Sequence, residues 1–207
     1  MAKKGIEYCC FGVLEADGTY KTDSGKRLSP VVAFNFAPNS NNEKDYGDNV
    51  VDDIDNEVTG GTLNLELNRD KDEIYSFLLG HTSTSETTGT GTDAVTSTQT
   101  VFNTEDSPIE VGVGAVGKTG TRATGYKWRA KVYRRVVFSE PADDNQTKTN
   151  SAQFGHLALS GEVMPLVAPE ECLGEWKVTQ TFETRAAAIA WLDSYLKVSE
   201  DLVSEAP

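Results

Sequence analysis

Apolar and polar residues alternate with a period of two along much of this 207-residue chain, and that pattern predicts strands. The longest such run covers residues 126–138. It sets Tyr126, Trp128, Ala130, Val132, Val136 and Phe138 on one face, broken only by Arg134, and Lys127, Arg129, Lys131, Tyr133, Arg135 and Val137 on the other. Residues 62–68 alternate as cleanly, with Leu63, Leu65 and Leu67 against Asn64, Glu66 and Asn68. Further strands are predicted over 6–14, over the glycine-rich 109–118, over 154–164 and over 175–183; another covers 31–36, with Val32, Phe34 and Phe36 on one face and a stop at Pro38. Helical spacing shows twice. Asp70 and Glu73 make a capping box for a short helix that Gly80 ends, with Ile74, Phe77 and Leu78 on one side. Thr184 caps a second helix over 185–196, lined by Ile189, Leu192 and Leu196. Strands predominate without regular β-α alternation, so the fold class is α+β: a mainly antiparallel β-sandwich or barrel with one or two short packed helices.

Three segments depart from this patterning. Segment 38–60 reads as a long acidic loop: residues 43–57 hold seven acids (Glu43, Asp45, Asp48, Asp52, Asp53, Asp55 and Glu57) against one base, Lys44. With Tyr46, Val50, Val51 and Ile54 among them, these residues are too polar to bury and too apolar for a plain solvated tail, which marks a loop that contacts a partner. Segment 82–104 begins with a run of Thr, Ser and Gly that cannot bury enough apolar surface to offset its ordering entropy, so a mobile loop or hairpin arm is expected. Residues 198–207 are acidic and are expected to fray. The remainder, 1–197, reads as a single domain.

The net charge is −13, which argues against a nucleic-acid-binding module with a basic footprint but suits a protein that lets nucleic acid pass without holding it. The bases are unevenly spread. From Lys118 to Arg135 there are seven and no acid. This basic strand is either a solvated sheet face or the surface that meets the acidic loop of a neighbouring copy. The start of the chain lacks the apolar core of a signal peptide and no apolar run approaches a membrane span, so a cytosol-like compartment is expected. Cys9 and Cys10 are expected to point to opposite faces of a strand, and Cys172 stands alone; three such positions give neither a disulfide framework nor metal spacing.

One motif raises a distinct chemistry. Gly112, Gly117, Lys118 and Thr119 fit the P-loop pattern, and Gly112, Gly114 and Gly117 fit a dinucleotide fingerprint. Both need a helix after the loop to hold phosphate, and here a strong strand follows instead, so a glycine-rich strand and turn is expected. The acids at 53–57 lack the glycine and terminal glutamate of an EF-hand loop. His81 and His156 lie far apart and read as structural or surface residues. No nucleophile signature is present, and neither an enzyme nor a cofactor is expected.

The order of features resembles the phage major tail proteins, the tail tube subunits of long non-contractile tails, in the family related to phage phi13. Four stretches carry the resemblance: Tyr46, Gly47, Asp48 and Asn49 in the acidic loop; the strand after Gly60 and Gly61 with the helix ending in Leu78, Leu79 and Gly80; the glycine-rich strand followed by YKWRAKVYRRVVF; and Glu140 and Pro141 before FGHLALSGEV. The resemblance implies two packed sheets with a helix beside them, hexameric rings stacked into a tube, and sheets of neighbouring subunits joined into a barrel that lines the channel. It implies a structural virion protein of the tail, assembled in the host cytoplasm. Its partners would be itself, the tape measure, tail terminator and distal tail proteins, and double-stranded DNA in transit, with no membrane binding by the subunit. The subunit contacts expected are Tyr46, Asp48, Asn49, Asp52, Asp53 and Asp55 of the acidic loop, and, from the charge pattern, Lys127, Arg129, Lys131 and Arg135 of the basic strand. The alternatives are a tube subunit of a contractile tail or tailocin, and a monomeric β-sandwich binding module.

Overall fold

The computed structural model of the chain describes residues 3–28, 30–47, 50–68, 72–88, 95–121, 123, 125–142 and 156–201. In chain order they form β1 (Lys3–Val13), β2 (Gly25–Arg27), β3 (Val31–Gly47), β4 (Val50–Leu67), α1 (Asp72–Leu79), β5 (Thr82–Thr88), β6 (Val95–Val101), β7 (Val111–Thr121), β8 (Gly125–Phe138), β9 (Leu157–Met164), a 3-10 turn (Glu170–Cys172), β10 (Lys177–Phe182), α2 (Arg185–Leu196) and β11 (Val198–Asp201). Nine of these strands pair in one sheet in the order β11-β2-β1-β7-β8-β9-β4-β3, with β10 also on β8, while β5 and β6 pair only with each other. The protein is β-rich α+β with two helices, as its patterning predicts.

Strand β8 divides the molecule. Val113 of β7 pairs with Tyr133 and Val111 with Val136. Two steps on one strand thus face three on the other, and β8 carries an extra residue in a bulge at Arg134 and Arg135. Before the bulge, Ala130 and Val132 face a cluster with Tyr8, Cys10, Val116 and the α2 residues Ala188, Leu192 and Leu196. After it, Val136 and Phe138 join Tyr133 in a larger cluster with Phe11, Leu63, Leu65, Leu67 and Leu159. The single apolar face expected over 126–138 is therefore shared between two cores, because a period-two count does not register an inserted residue. Pairing forks at the same place: Trp128–Tyr133 pair with β10, and Arg135–Phe138 with β9. Arg134, the expected interruption, is buried, ion-paired to Glu175, and its carbonyl accepts a hydrogen bond from the Tyr20 hydroxyl at 2.9 Å.

The sheet folds back over the larger cluster. Phe34 and Phe36 of β3 lie 5.7 and 4.7 Å from the Tyr133 ring of β8, although β9 and β4 stand between these strands in the hydrogen-bonded order. Helix α1 closes this core with Ile74, Leu78 and Leu79. Gly80 ends it at φ +77°, where a Cβ would fall 2.5 Å from the Ser107 carbonyl oxygen. The expected cap, Asp70, lies outside the described residues, as does the side chain of Glu73. Cys9 and Cys10 do point to opposite faces, one into each cluster.

Helix α2 begins at Thr184, whose hydroxyl accepts from the Ala187 amide. It lies on glycines. A Cβ at Gly114 would approach Leu192 and Leu196 at 2.5 and 2.7 Å, and one at Gly112 would meet the Tyr20 ring at 2.4 Å. The P-loop-like spacing thus belongs to a strand in which Gly114 makes room for α2 and Gly112 for the Tyr20 ring. That strand is paired on both sides, with β1 and with β8, through Lys118 and Thr119.

Two segments extend further than their composition predicts. Strand β3 runs through Pro38, which pairs with Gly61, because β3 is the last strand in the sheet order and a residue without an N–H is tolerated at an edge. The acidic segment is consequently a paired ribbon instead of a loop. Of the segment 198–207, Val198–Asp201 form β11, parallel to β2. The reversal is made by Lys197 in the left-handed region at φ 55°, whose carbonyl accepts from the Gly25 amide at 2.9 Å.

The docking of α2 gives a direct prediction. Gly114→Val places methyls where Leu192 and Leu196 now sit, and overpacking of this kind costs about 1–3 kcal/mol. Urea unfolding should show the midpoint lowered with the slope unchanged, and an unaltered midpoint would contradict the packing described.

Candidate functional site

Strands β3 and β4 leave the body as a two-stranded ribbon. Strand β9 pairs with β4 only over Gly61–Leu67, whereas β3 and β4 remain paired out to Gly47 and Val50. At about 3.3 Å per residue the ribbon extends roughly 30 Å beyond the body. Among the described residues no third strand pairs with it, and Asn39, Ser40, Asn41, Lys44, Glu57 and Thr59 are exposed. Its register sets acid opposite acid: Glu43 faces Asp55 and Asp45 faces Asp53. Like charges in directly opposed positions destabilise a ladder, and a two-stranded ribbon is marginal in water by itself. Tyr46, Asp52, Asp53 and Asp55 thus lie on paired strands near its end, while Asp48 and Asn49 lie outside the described residues.

A second ribbon is built differently. Strands β5 and β6 form a separate hairpin, the arm expected from the Thr- and Ser-rich composition. One face is a ladder of hydroxyl pairs, Ser83 with Thr100 at 2.8 Å, Ser85 with Thr98 at 3.1 Å and Thr87 with Thr96 at 3.0 Å. Threonine suits a strand through its β-branch, so this stretch is ordered by cross-strand pairing without a core.

The base of the arm is held by His81. This buried ring, next after Gly80, has Nδ1 2.7 Å from Asp106 and Nε2 2.8 Å from Glu140, with the Phe102 ring 4.4 Å away. Burial alone lowers the pKa of the imidazole, but the hydrogen bonds and charges of the two carboxylates outweigh it and leave the value raised. His156 has the plainer surface pairing, Nδ1 to Glu66 at 2.8 Å.

The bases of β8 do not form one uniform face. Lys127 pairs with Glu183 at 2.6 Å, and Arg135 grips Glu110 through Nε at 2.9 Å and Nη2 at 2.5 Å. Arg129 and Lys131 instead line a cleft of about 600 Å³ where β3 crosses β8 and β10, together with Lys177. Among the described residues no acid lines the cleft. Lys131 lies over the Phe34 ring at 5.1 Å, and Lys177 lies over Tyr133 at 5.3 Å and Trp176 at 5.6 Å, contacts in which a ring face attracts an ammonium group. Phe34, Phe36 and Tyr133 are the cleft's aromatic lining, and Phe36 stacks on Trp176 behind it at 5.3 Å. Lys118 also lines the cleft, and its ammonium lies over Tyr126 and Trp128. The structure thus brings Arg129 and Lys131 together and separates them from Lys127 and Arg135. Lys177, from a different strand, escapes a reading of β8 alone; its alternation with Thr179 on a predicted strand is the only sequence signal for it.

Other candidate chemistry finds little support in the geometry. Burial pushes the Cys9 thiol up to about 12 and Cys10 well above its ordinary value, so neither is primed as a thiolate. Among the described residues no group of three or more His, Cys, Asp or Glu could hold a metal ion, and no helix is long and apolar enough to cross a membrane. No protein-family model matches the chain, and no curated protein matches its sequence.

The clasp at His81 makes stability depend on pH. Its raised pKa means that the contribution is complete below about 6.5, the unfolded value, and is lost as pH rises through the folded one. Asp106, lowered chiefly by its hydrogen bond to His81, acts oppositely: its contribution is present above about 3.8 and lost as pH falls through its folded value. His81→Asn should cost about 1–2 kcal/mol at pH 6 and less at pH 9, since hydrogen bonds to a charged partner are the stronger kind. Denaturation midpoints of both proteins across this range check it; an equal difference at the two pH values would contradict the clasp.

Proposed function

We propose that this protein is a self-assembling structural subunit of a phage tail tube, with rings of six copies stacked into the conduit through which DNA leaves the virion. The observation that carries this reading is the acidic ribbon, a long β-hairpin that leaves the body without a third strand and with like charges opposed across it. Such an element is poorly stabilised in a lone subunit and gains a partner on assembly. The folded-over sheet suits a sandwich whose edges join those of neighbours into a channel-lining barrel, and β3 and β11 are the strands at the ends of its order. The net charge of −13 suits a conduit that phosphate must traverse without sticking. In this reading the tape measure, tail terminator and distal tail proteins are the further partners, at the axis and the two ends of the tube.

Negative-stain microscopy of the purified chain over a concentration series tests the proposal. Six-fold rings or tubes are expected, if necessary after addition of preformed tail tips as an initiator. A chain that stays monomeric in both conditions is not a tube subunit.

A shortened chain separates assembly from folding. Every described residue of both buried clusters lies outside 39–58, so replacing residues 41–57 by an Asn-Gly turn should leave the circular dichroism spectrum β-rich and the unfolding cooperative. The same change should abolish rings and tubes. Normal tubes from this variant would contradict the role given to the ribbon.

A further inference from the structure

We propose that His81 is a proton-operated latch on the β5–β6 arm: as an imidazolium it ties the base of the arm to Glu140 at the end of β8, and on losing a proton it keeps Asp106 and releases Glu140. The latch belongs to the single chain and does not depend on the tube reading. Its ground is a count of donors. Nδ1 lies 2.7 Å from Asp106 Oδ2, and Nε2 lies 2.8 Å from Glu140 Oε2, both within the range of charge-assisted hydrogen bonds. A neutral imidazole has one N–H and one lone pair, whereas the imidazolium has two N–H groups. Only the charged ring can therefore bind both carboxylates. Among the described residues these two are the charged groups that act on the ring, Asp106 from the segment after β6 and Glu140 from the segment after β8. The Phe102 ring covers it at 4.4 Å. His81 is buried, so little water is at hand to stand in for a missing donor.

The two carboxylates are not held alike. Asp106 is fixed in its own loop: its Oδ2 also accepts from the Asn103 amide at 3.0 Å, and its amide donates to the Asn103 carbonyl at 3.1 Å. Its side chain is 18% exposed, against 52% for Glu140, which can turn into solvent. A bare ring nitrogen cannot stay under 3 Å from a carboxylate, and the contact that opens is that of Glu140. The proton that remains is on Nδ1. His81 directly precedes β5 and Asp106 follows β6, so their bond holds the two legs of the arm together. The Glu140 bond joins that base to the sheet, where the Ser139 amide donates to the Ser160 carbonyl at 2.9 Å. The arm also rests on α1, with the Phe102 ring edge-on to Tyr75 at 5.8 Å. Release of Glu140 thus leaves the arm intact and frees it to swing on α1. Because the carboxylates raise the pKa of the ring, the latch is closed below the ordinary histidine value and opens as pH rises through the folded one.

Nitrogen-15 spectra of the histidine rings in the intact protein test the latch, with His156, which faces the single carboxylate of Glu66, as the internal comparison. Both nitrogens of His81 should carry protons at about pH 6, and only Nδ1 at about pH 9.5. A lone proton on Nε2, or protons on both nitrogens throughout, would overturn the proposal. Movement of the arm is read from the distance distribution between nitroxides at Glu86→Cys on β5 and Glu162→Cys on β9, both exposed positions. The labels are carried in a Cys172→Ser background and diluted into unlabelled protein. The distribution should be narrow at the lower pH and broad at the higher. In Glu140→Gln the amide oxygen can accept from Nε2–H and the NH2 group can donate to a bare Nε2, so the distribution should stay narrow at both. Glu140→Ala should broaden it at both. A distribution equally narrow at the two pH values in the wild type, or narrow at the lower pH in Glu140→Ala, would overturn the proposal.

Discussion

The extra residue in β8 is the constraint on which the rest of the molecule depends. A strand without it would present Ala130, Val132, Val136 and Phe138 to one side and could support one core. The bulge at Arg134 and Arg135 turns the second half over, so one continuous strand supports α2 with its first half and the larger core with its second. It also lets β10 and β9 share the same edge of β8 in succession. The cleft sits beside this fork, where β3 folds over the part of β8 that pairs with β10. Arg134 occupies the bulge with its guanidinium paired to Glu175; its carbonyl accepts from Tyr20 and its amide donates to the Trp176 carbonyl, which satisfies the two backbone groups that an interrupted ladder frees.

The two ribbons are held in contrasting ways. The Thr- and Ser-rich arm draws its order from cross-strand hydroxyl pairs and from the clasp of His81 on Asp106 and Glu140 at its base. In the acidic ribbon the register sets Glu43 opposite Asp55 and Asp45 opposite Asp53. A chain that needs only a stable monomer has no physical reason to keep a hairpin of roughly 30 Å in that condition. Exposed edges of this kind are a hazard for uncontrolled pairing, which charged side chains limit.

Much of the fold is legible in the sequence because its cores depend on local alternation. Leu63, Leu65 and Leu67 are buried as their spacing predicts, and α2 covers residues 185–196 behind its Thr184 cap. What period-two counting misses is non-local or a matter of one residue. The bulge in β8 moves Val136 and Phe138 to the other core, and the edge position of β3 lets it pass through Pro38. Charge density at 43–57 reads as a loop because solvated acids do not mark a strand, although a paired ribbon satisfies its backbone just as well. The candidate site is only half legible: Arg129 and Lys131 are visible on β8, while their separation from Lys127 and Arg135, and the arrival of Lys177, depend on how β3 and β10 pack.

The central claim is the proposal that copies of this chain assemble, and its most direct test is sedimentation velocity of the intact protein across concentration at low and high salt. Large assemblies that grow with concentration are expected at one or both salt levels. A single monomeric species at every concentration and every salt would contradict it.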